Sequence, residues 1–483
     1  MTPRTDLERR RRNVARVSLY LSLALVGGLA AVLFLWLQSI LRQQTVEVWD
    51  GTDFESLPEV TLLRDYMAID TSTPDGDAAA GAEFLGRLLE EDGIPYILER
   101  VGPKDANLWA VIEGDDPRAL VLHHHIDVDP VDDPEKWQYP PFEGVISGPW
   151  IYGRGAFDMK SVAIAQLEAF RALARSGQRP RRTVIFLATS GEETGSDLGM
   201  RWILAQRPEL AARFGLVLTE GGAVEGRDLE DVKYWGTEFV QKRVERVLIC
   251  GDSEERLQSL RRELIAEGRP VTGLTVSPEL EEFLRHYAPS RDREDWREAL
   301  SDPAALIHDV PAFIALPGYV QSMFRSEAVP FPVQAVDGGF EMKVALQLAP
   351  GVDAEVAFGE LLPSWRTHGL AVQRLADGAA MHGSAPDAEL FAAIEAVLET
   401  HYPGIRHGPL YLPWTMTDAR FLRARDIPTF GFSPFMVLTP EVLNLVAQGT
   451  INERIALPGY VEGIVIYRQL LGRLTGVELT DKK

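Results

Sequence analysis

Cysteine is nearly absent: the 483-residue chain holds one, Cys250. No disulfide can form within the chain, and a thiolate-rich zinc site is excluded. Basic charge is also scarce. Forty-nine Lys and Arg face 71 Asp and Glu, a formal charge of −22, which excludes a general nucleic-acid binder, whose contact face must be basic. No repeat recurs at solenoid periods. The glycine-rich run "YGRGAFDMK" (152–160) lacks the Gly-Lys-Ser/Thr ending of a phosphate loop. Histidine is limited to nine residues, three of them consecutive (123–125). A bound metal must therefore be held by His, Asp and Glu. What is present is an ordinary globular mixture, 46% hydrophobic and 25% charged, which rules out a disordered or fibrous chain. At about 100–200 residues per domain, the length suits two or three domains.

The charge is unevenly spread. Residues 1–16 carry six arginines against Asp6 and Glu8, and 17–41 then run 25 residues without a charge. About 20 apolar residues span a bilayer as a helix. A cleaved signal peptide has a shorter core, about 7–15 residues, ending in small side chains, whereas this run is longer and ends in bulky ones. The pattern predicts a basic cytoplasmic tail (1–16), a transmembrane signal anchor (17–41) and a polar stalk (42–58), with the rest outside the cytoplasm. A buried core helix is the competing reading of 17–41.

Beyond the stalk the pattern is α/β with an insertion. "ALVLHHHIDV" (119–128), "TVIFLATS" (183–190) and "FGLVLTE" (214–220) read as buried strands, separated by helical stretches at 158–176 and 197–207. Such alternation predicts a mainly parallel sheet with helices on both faces, and ligands bind beyond the carboxyl ends of its strands. From about Val232 the pattern changes: strands at 238–251, 339–351 and 370–376 and helices at 253–268 and 352–369 predict a small antiparallel sheet with helices on one face. The Pro- and charge-rich stretch 277–323 reads as an insertion with helical pieces. The α/β pattern resumes near Pro386, with a helix at 386–400, a strand at 427–434 and a helix at 457–473.

The acids and histidines cluster after the strands. His125 and Asp127 end the first, Glu192 and Glu193 follow the second, Glu220 follows the third, and Asp158 stands at a helix start. A lone His-x-Asp is usually a surface feature, and a lone Glu pair a solvated face. The joint pattern is far more specific, because each element sits at the same end of one sheet. One imidazole with several carboxylates suits zinc or a similar divalent ion. Asp127 is placed to accept the second N–H of the His125 ring and fix its tautomer. Of the adjacent glutamates, one can bind metal while the other acts as general base on the attacking water. His123 and His124 read as structural.

The ordered run "HIDVDPV", "PPFEG", "IYGRGAFDMKS", "SGEETGS", "TEGG" resembles metallopeptidase family 20, which includes carboxypeptidase S, the aminoacylases and N-fatty-acyl-amino-acid hydrolases. "TDARFLRARDIPTFGFSP" (417–434) and "NERI" (452–455) resemble its C-terminal half. The anchor and insertion are most like the carboxypeptidase S branch. The resemblance implies an α/β zinc-peptidase catalytic domain (59–231 and 377–483) with an inserted α+β lid domain (232–376) that dimerises. It implies that His125, Asp158 and Glu220 hold one zinc, that Asp158 bridges to a second held by Glu193, that Glu192 is the general base and that Asp127 supports His125. Mn2+ and Co2+ are alternatives to zinc. The implied reaction is hydrolysis of an amide beside a free carboxylate, in a peptide or N-acyl amino acid, with Arg420 and position 347 contacting substrate.

Three positions depart from the pattern. Gln448 stands where the second zinc takes a histidine, which marks a degenerate ligand. "CGDS" (250–253) lacks the lid histidine, and Gln347 replaces an arginine. Losing one electrophilic donor costs about 10²–10³ in rate. Two readings follow: a membrane-anchored metal-dependent amidohydrolase, or a catalytically impaired membrane-tethered binding or scaffold protein.

Overall fold

The computed structural model describes residues 51–479 apart from 227–231, 268–272, 365, 376–381, 414 and 439–450. Its centre is built by the three apolar runs. Asp116–His125 pairs in parallel with Arg182–Thr189 on one side and Phe214–Thr219 on the other. All three are almost wholly buried toward their carboxyl ends, as strands covered on both faces must be. They belong to a large, mainly parallel ten-stranded sheet. Its order is 96–100, 106–112, 182–189, 116–125, 214–219, 429–431, 232–241, 223–226, 436–438, with 407–412 also paired to 232–241. The antiparallel edge strands Tyr96–Arg100 and Ala106–Ile112 and the strand His407–Leu412 are additions to the sequence expectation.

Helices cover both faces. On one, Lys160–Ser176 packs through Phe170 onto Phe186, ring centroids 5.7 Å apart. On the other, Met200, Ile203, Phe421 and Leu422 close over Val121, Ile185, Leu187 and Val217. Alternation along each strand thus sends even-numbered side chains of 116–125 to one helix layer and odd-numbered ones, including His123 and His125, toward the other.

A second sheet is antiparallel: 327–330, 339–348, 243–251 and 371–375 in that order, with 334–336 on 339–348. Leu257, Leu260 and Leu264 of helix Glu254–Glu267 and Ala357 and Leu361 of Ala354–Leu361 pack on Val247, Ile249, Met342, Val344 and Leu346. The expected strand at 238–251 is two strands. Val232–Gln241 belongs to the large sheet and Arg243–Gly251 to the second, with Lys242 between them. Val232–Gln241 is buried almost throughout and Arg243–Gly251 only in part, and the apolar content that marks both as extended does not tell which partner each takes. The stretch 277–323 forms short helices, several opened by proline (Pro278, Pro303, Pro311), where its missing N–H costs nothing. It docks on the large sheet through Arg291, which donates to both carboxylate oxygens of Glu225 at 2.6 and 3.1 Å.

The membrane expectation is corrected. Residues 1–16 and 17–41 lie outside the described residues, and among the described residues no helix is long and apolar enough to cross a membrane. The helix Leu457–Thr475 has 19 residues but carries Glu462, Arg468 and Arg473 and buries its apolar side on the globular body. The end of the expected stalk is also part of that body, with Phe54 buried and a helix starting at Pro58. The single-pass, extracytoplasmic placement is therefore not retained.

Candidate active site

Three strand ends and one helix start deliver the site. His125 closes its strand directly opposite Thr189 of the neighbouring strand. Thr189 leads into the turn Ser190–Glu193, where Gly191 takes the left-handed conformation (φ 76°) that glycine tolerates best. Glu220 follows the third strand. Asp158 precedes helix Lys160–Ser176. The sequence-derived ligands do converge. One ligand atom each from His125, Glu192 and Glu220 lies within 4.8 Å of the others, and the same holds for His125, Asp158 and Glu193.

The imidazole is oriented by backbone. His125 Nδ1 lies 2.8 Å from the carbonyl oxygen of Asp127, to which it donates, so Nε2 is turned to the acids. Nε2 sits 3.1 Å from Asp158 Oδ1 and 3.6 Å from Glu220 Oε2. The expected tautomer control by the Asp127 side chain is thus exercised by its carbonyl instead. The Asp127 carboxylate is 3.9 Å from Nδ1 at its nearer oxygen. It accepts the backbone N–H groups of Glu192 (3.1 Å) and Glu193 (3.0 Å). Its task is to hold the turn that presents both glutamates.

Burial and mutual repulsion push these acids up. Burial raises Glu192 to about 7 despite the Arg420 charge beside it. Burial, and then the Asp158 carboxylate, raises both Glu193 and Glu220 well above the usual range. Burial alone would depress His125, but Glu220 and Asp158 outweigh it and hold the imidazole well above its ordinary value. Glu193 Oε1 is buried without a hydrogen-bond partner. One imidazole, four crowded carboxylates and an orphaned oxygen form a donor set that fits a divalent cation.

A measurable consequence follows in the metal-free protein. Carboxylates with raised folded-state pKa bind more protons folded than unfolded, so stability falls as pH rises. The raised histidine acts in the same direction, since its stabilising proton is lost as pH rises. For Glu192 the window runs from about 4.5 to about 7. The unfolding midpoint of chelator-treated protein should fall from pH 5 to 7.5, and the gain on adding Zn2+ should grow across that range. A metal-free midpoint that rises with pH would contradict this account.

Arg420, the "NERI" segment, His123 and His124 were named from sequence, and the fold supplies their partners. Arg420 Nη1 donates to Glu192 Oε1 at 3.2 Å and to the Thr417 carbonyl at 3.0 Å, while Arg420 Nε and Nη2 are buried without hydrogen-bond partners. The Gln241 side chain holds that loop, accepting from Thr417 N at 3.0 Å and donating to its carbonyl at 3.3 Å. Glu453 of "NERI" accepts from the backbone of Phe157 (2.8 Å) and Asp158 (3.1 Å) and from Arg154 (2.8 Å), pinning the Asp158 loop. His123 sits beneath the site, 3.0 Å from Thr219 Oγ1, 2.9 Å from Thr189 Oγ1 and 3.6 Å from Asp418, and His124 meets Gln166 at 3.0 Å. Both fit a structural role. Gln347 lies in the second sheet, opposite Val244 and Glu327. Gln448 lies outside the described residues. His382 faces Asp426 and His407 opens a strand beside Trp235, so neither joins the cluster.

Comparison with known proteins agrees with this arrangement. Residues 121–473 match the model of peptidase family M20/M25/M40. Human aminoacylase-1 is 30% identical over 434 residues, covering 88% of this chain and 97% of that protein. Two solved structures share the fold. One is an M20 family metallo-carboxypeptidase from Sulfolobus solfataricus (TM-score 0.65, 17% identity, 87% of this chain and all of that one). The other is human carnosine dipeptidase 1 (TM-score 0.66, 15% identity, 87% and 96%). The chain belongs to peptidase family M20/M25/M40 and, with it, to the metal-dependent hydrolases.

Proposed function

We propose that this chain hydrolyses an amide bond beside a free carboxylate, in an N-acyl amino acid or a peptide. The observation that carries the reading is Glu192 set between the metal-ligand cluster and the buried guanidinium of Arg420. His125, Asp158 and Glu220 would hold one zinc ion, with Glu193 available to a second. A divalent ion there polarises the amide carbonyl and makes water more acidic. Glu192, with a proton affinity near neutrality, takes the proton of the attacking water and returns it to the leaving amine nitrogen as the C–N bond breaks. Arg420 keeps Glu192 in place and offers its two unpartnered N–H groups to the substrate carboxylate, which a planar guanidinium can bind through two hydrogen bonds. Low water access strengthens both interactions.

The lid expected at 232–376 is assigned to the second sheet and its helices from Arg243 onward, since Val232–Gln241 belongs to the large sheet. Its exposed edge strand Ala371–Leu375 is where we place the contact with a second copy. The likeness to aminoacylase-1 supports the substrate class.

The test is an assay of the full chain, loaded with Zn2+, Mn2+ or Co2+, on N-acyl amino acids and dipeptides, each compared with its C-terminal amide. The free acid should be preferred by at least tenfold in kcat/KM, and Arg420→Lys should remove most of that preference. Equal rates on acid and amide would remove Arg420 from the carboxylate-binding role. No turnover on any of these substrates with any metal would overturn the reading.

A further inference from the structure

Asp418 stands one residue before helix Ala419–Arg423, where an acid ordinarily accepts an N–H of the first helical turn. It makes no such hydrogen bond. Its backbone is already helical (φ −59°, ψ −14°), and the hydroxyl of Thr417 accepts the Ala419 N–H at 3.2 Å instead. The Asp418 side chain is fully buried. Its Oδ1 accepts from the hydroxyl of Ser196, and its Oδ2 faces His123 Nε2 at 3.6 Å. Ser196 lies in the loop that follows Glu192 and Glu193, and it too is fully buried. Its backbone is left-handed (φ 65°), like that of Gly191 and Gly195 in the same loop. Its N–H closes the loop on the Gly191 carbonyl at 2.6 Å. Glycine would adopt that conformation with less strain, so what the serine adds is its hydroxyl. The Ser196–Asp418 contact joins the loop that presents Glu192 to the helix that presents Arg420. Thr417 and Arg423 tie that helix elsewhere, to Gln241 and Glu238 of strand Val232–Gln241.

We propose that Asp418 is a positioning residue for carboxylate recognition: through Ser196 it sets where Arg420 stands relative to Glu192. The inference rests on the reading of Arg420 as the carboxylate-binding group and deepens it. Arg420 Nη1 lies 3.2 Å from Glu192 Oε1, and its Nε and Nη2 are buried without hydrogen-bond partners. The glutamate side of the clasp does not depend on Asp418, since the Asp127 carboxylate holds the backbone N–H groups of Glu192 and Glu193. Breaking the Ser196 contact therefore frees the arginine side, which meets the substrate carboxylate, and leaves the general base in place.

The experiment uses the full chain loaded with Zn2+, Mn2+ or Co2+. It compares kcat/KM for the N-acyl amino acid turned over fastest with that for its C-terminal amide. Ser196→Gly keeps the left-handed backbone and deletes the hydroxyl, while Asp418→Ala deletes the acceptor. Each should cut the free-acid preference by about tenfold or more, since an ångström of misplacement costs up to about 10²-fold. The loss should come as a raised KM on the free acid, with kcat on the amide little changed. The double variant should lose no more than either single one, as expected for the two ends of one contact. Asp418→Asn, whose amide oxygen can still accept from Ser196, should keep most of the preference. Unfolding midpoints check each fold, and Ser196→Gly carries the test should Asp418→Ala not fold. Equal losses on acid and amide, or a preference unchanged in Ser196→Gly, confine Asp418 to the scaffold and overturn the inference while Arg420 keeps its role. No preference in wild type removes Arg420 from the carboxylate and this inference with it. No turnover on any substrate overturns the hydrolase reading as well.

Discussion

Glu192→Gln should lower kcat on an N-acyl amino acid by about 10²–10⁴-fold, the range general acid–base catalysis contributes, with metal stoichiometry unchanged. The amide is nearly isosteric, and its oxygen can still accept from Arg420 Nη1, which lies 3.2 Å from Glu192 Oε1 in the native protein. The turn also survives, because its anchor is the Asp127 carboxylate on the backbone N–H groups of Glu192 and Glu193. What the amide cannot do is take a proton at neutral pH. KM should therefore move only a few-fold while kcat collapses. Glu192 also falls within ligand reach of His125 and Glu220, which gives the experiment a sharp alternative. If the variant loses a metal equivalent together with its activity, Glu192 is a ligand and the general base lies elsewhere. If kcat is unchanged, it is neither.

The convergence of the ligands was legible because His125, Glu192, Glu193 and Glu220 follow strands of one parallel sheet, whose direction places them at one edge, while Asp158 stands at a helix start. His125, Asp158, Glu192, Glu193 and Glu220 needed no distance information to be grouped. Their partners did. Period-two alternation puts Asp127 on the side of the site but does not tell whether its carboxylate finds the ring of His125 or the backbone of the next turn; the fold brings the backbone closer. Glu453 and Arg154 are 299 residues apart in sequence, and no local pattern pairs them. The same limit explains the strand at 238–251. It is extended nearly throughout, yet its two halves hydrogen-bond in different sheets, a choice made by the distant strands 407–412 and 339–348. The uncharged run at 17–41 lies outside the described residues, among which no helix is long and apolar enough to cross a membrane.

Arg423→Met should destabilise the protein by about 3–5 kcal/mol, the cost of leaving one partner of a buried ion pair without the other. Arg423 donates to both oxygens of Glu238 at 2.7 Å, and both side chains are essentially inaccessible, at 1% and 0%. It further donates to the Thr429 carbonyl at 2.7 Å and to Ser384 Oγ at 3.2 Å. The short helix Ala419–Arg423 is thereby tied to the strands Val232–Gln241 and Thr429–Gly431. Neutralising the stranded acid should recover part of the loss. Arg423→Met with Glu238→Gln is expected to be more stable than Arg423→Met alone, but less stable than wild type, because the Thr429 and Ser384 contacts stay broken. Chemical denaturation midpoints of the three variants measure this directly. Equal stability of Arg423→Met and wild type would show that the pair carries no net weight. The same helix presents Arg420 to Glu192, so the surviving folded fraction of Arg423→Met should show a raised KM for free-acid substrates with a smaller change in kcat. A stability loss with both constants unchanged would place Arg423 in the scaffold alone, with Arg420 positioned instead by the Gln241–Thr417 hydrogen bonds.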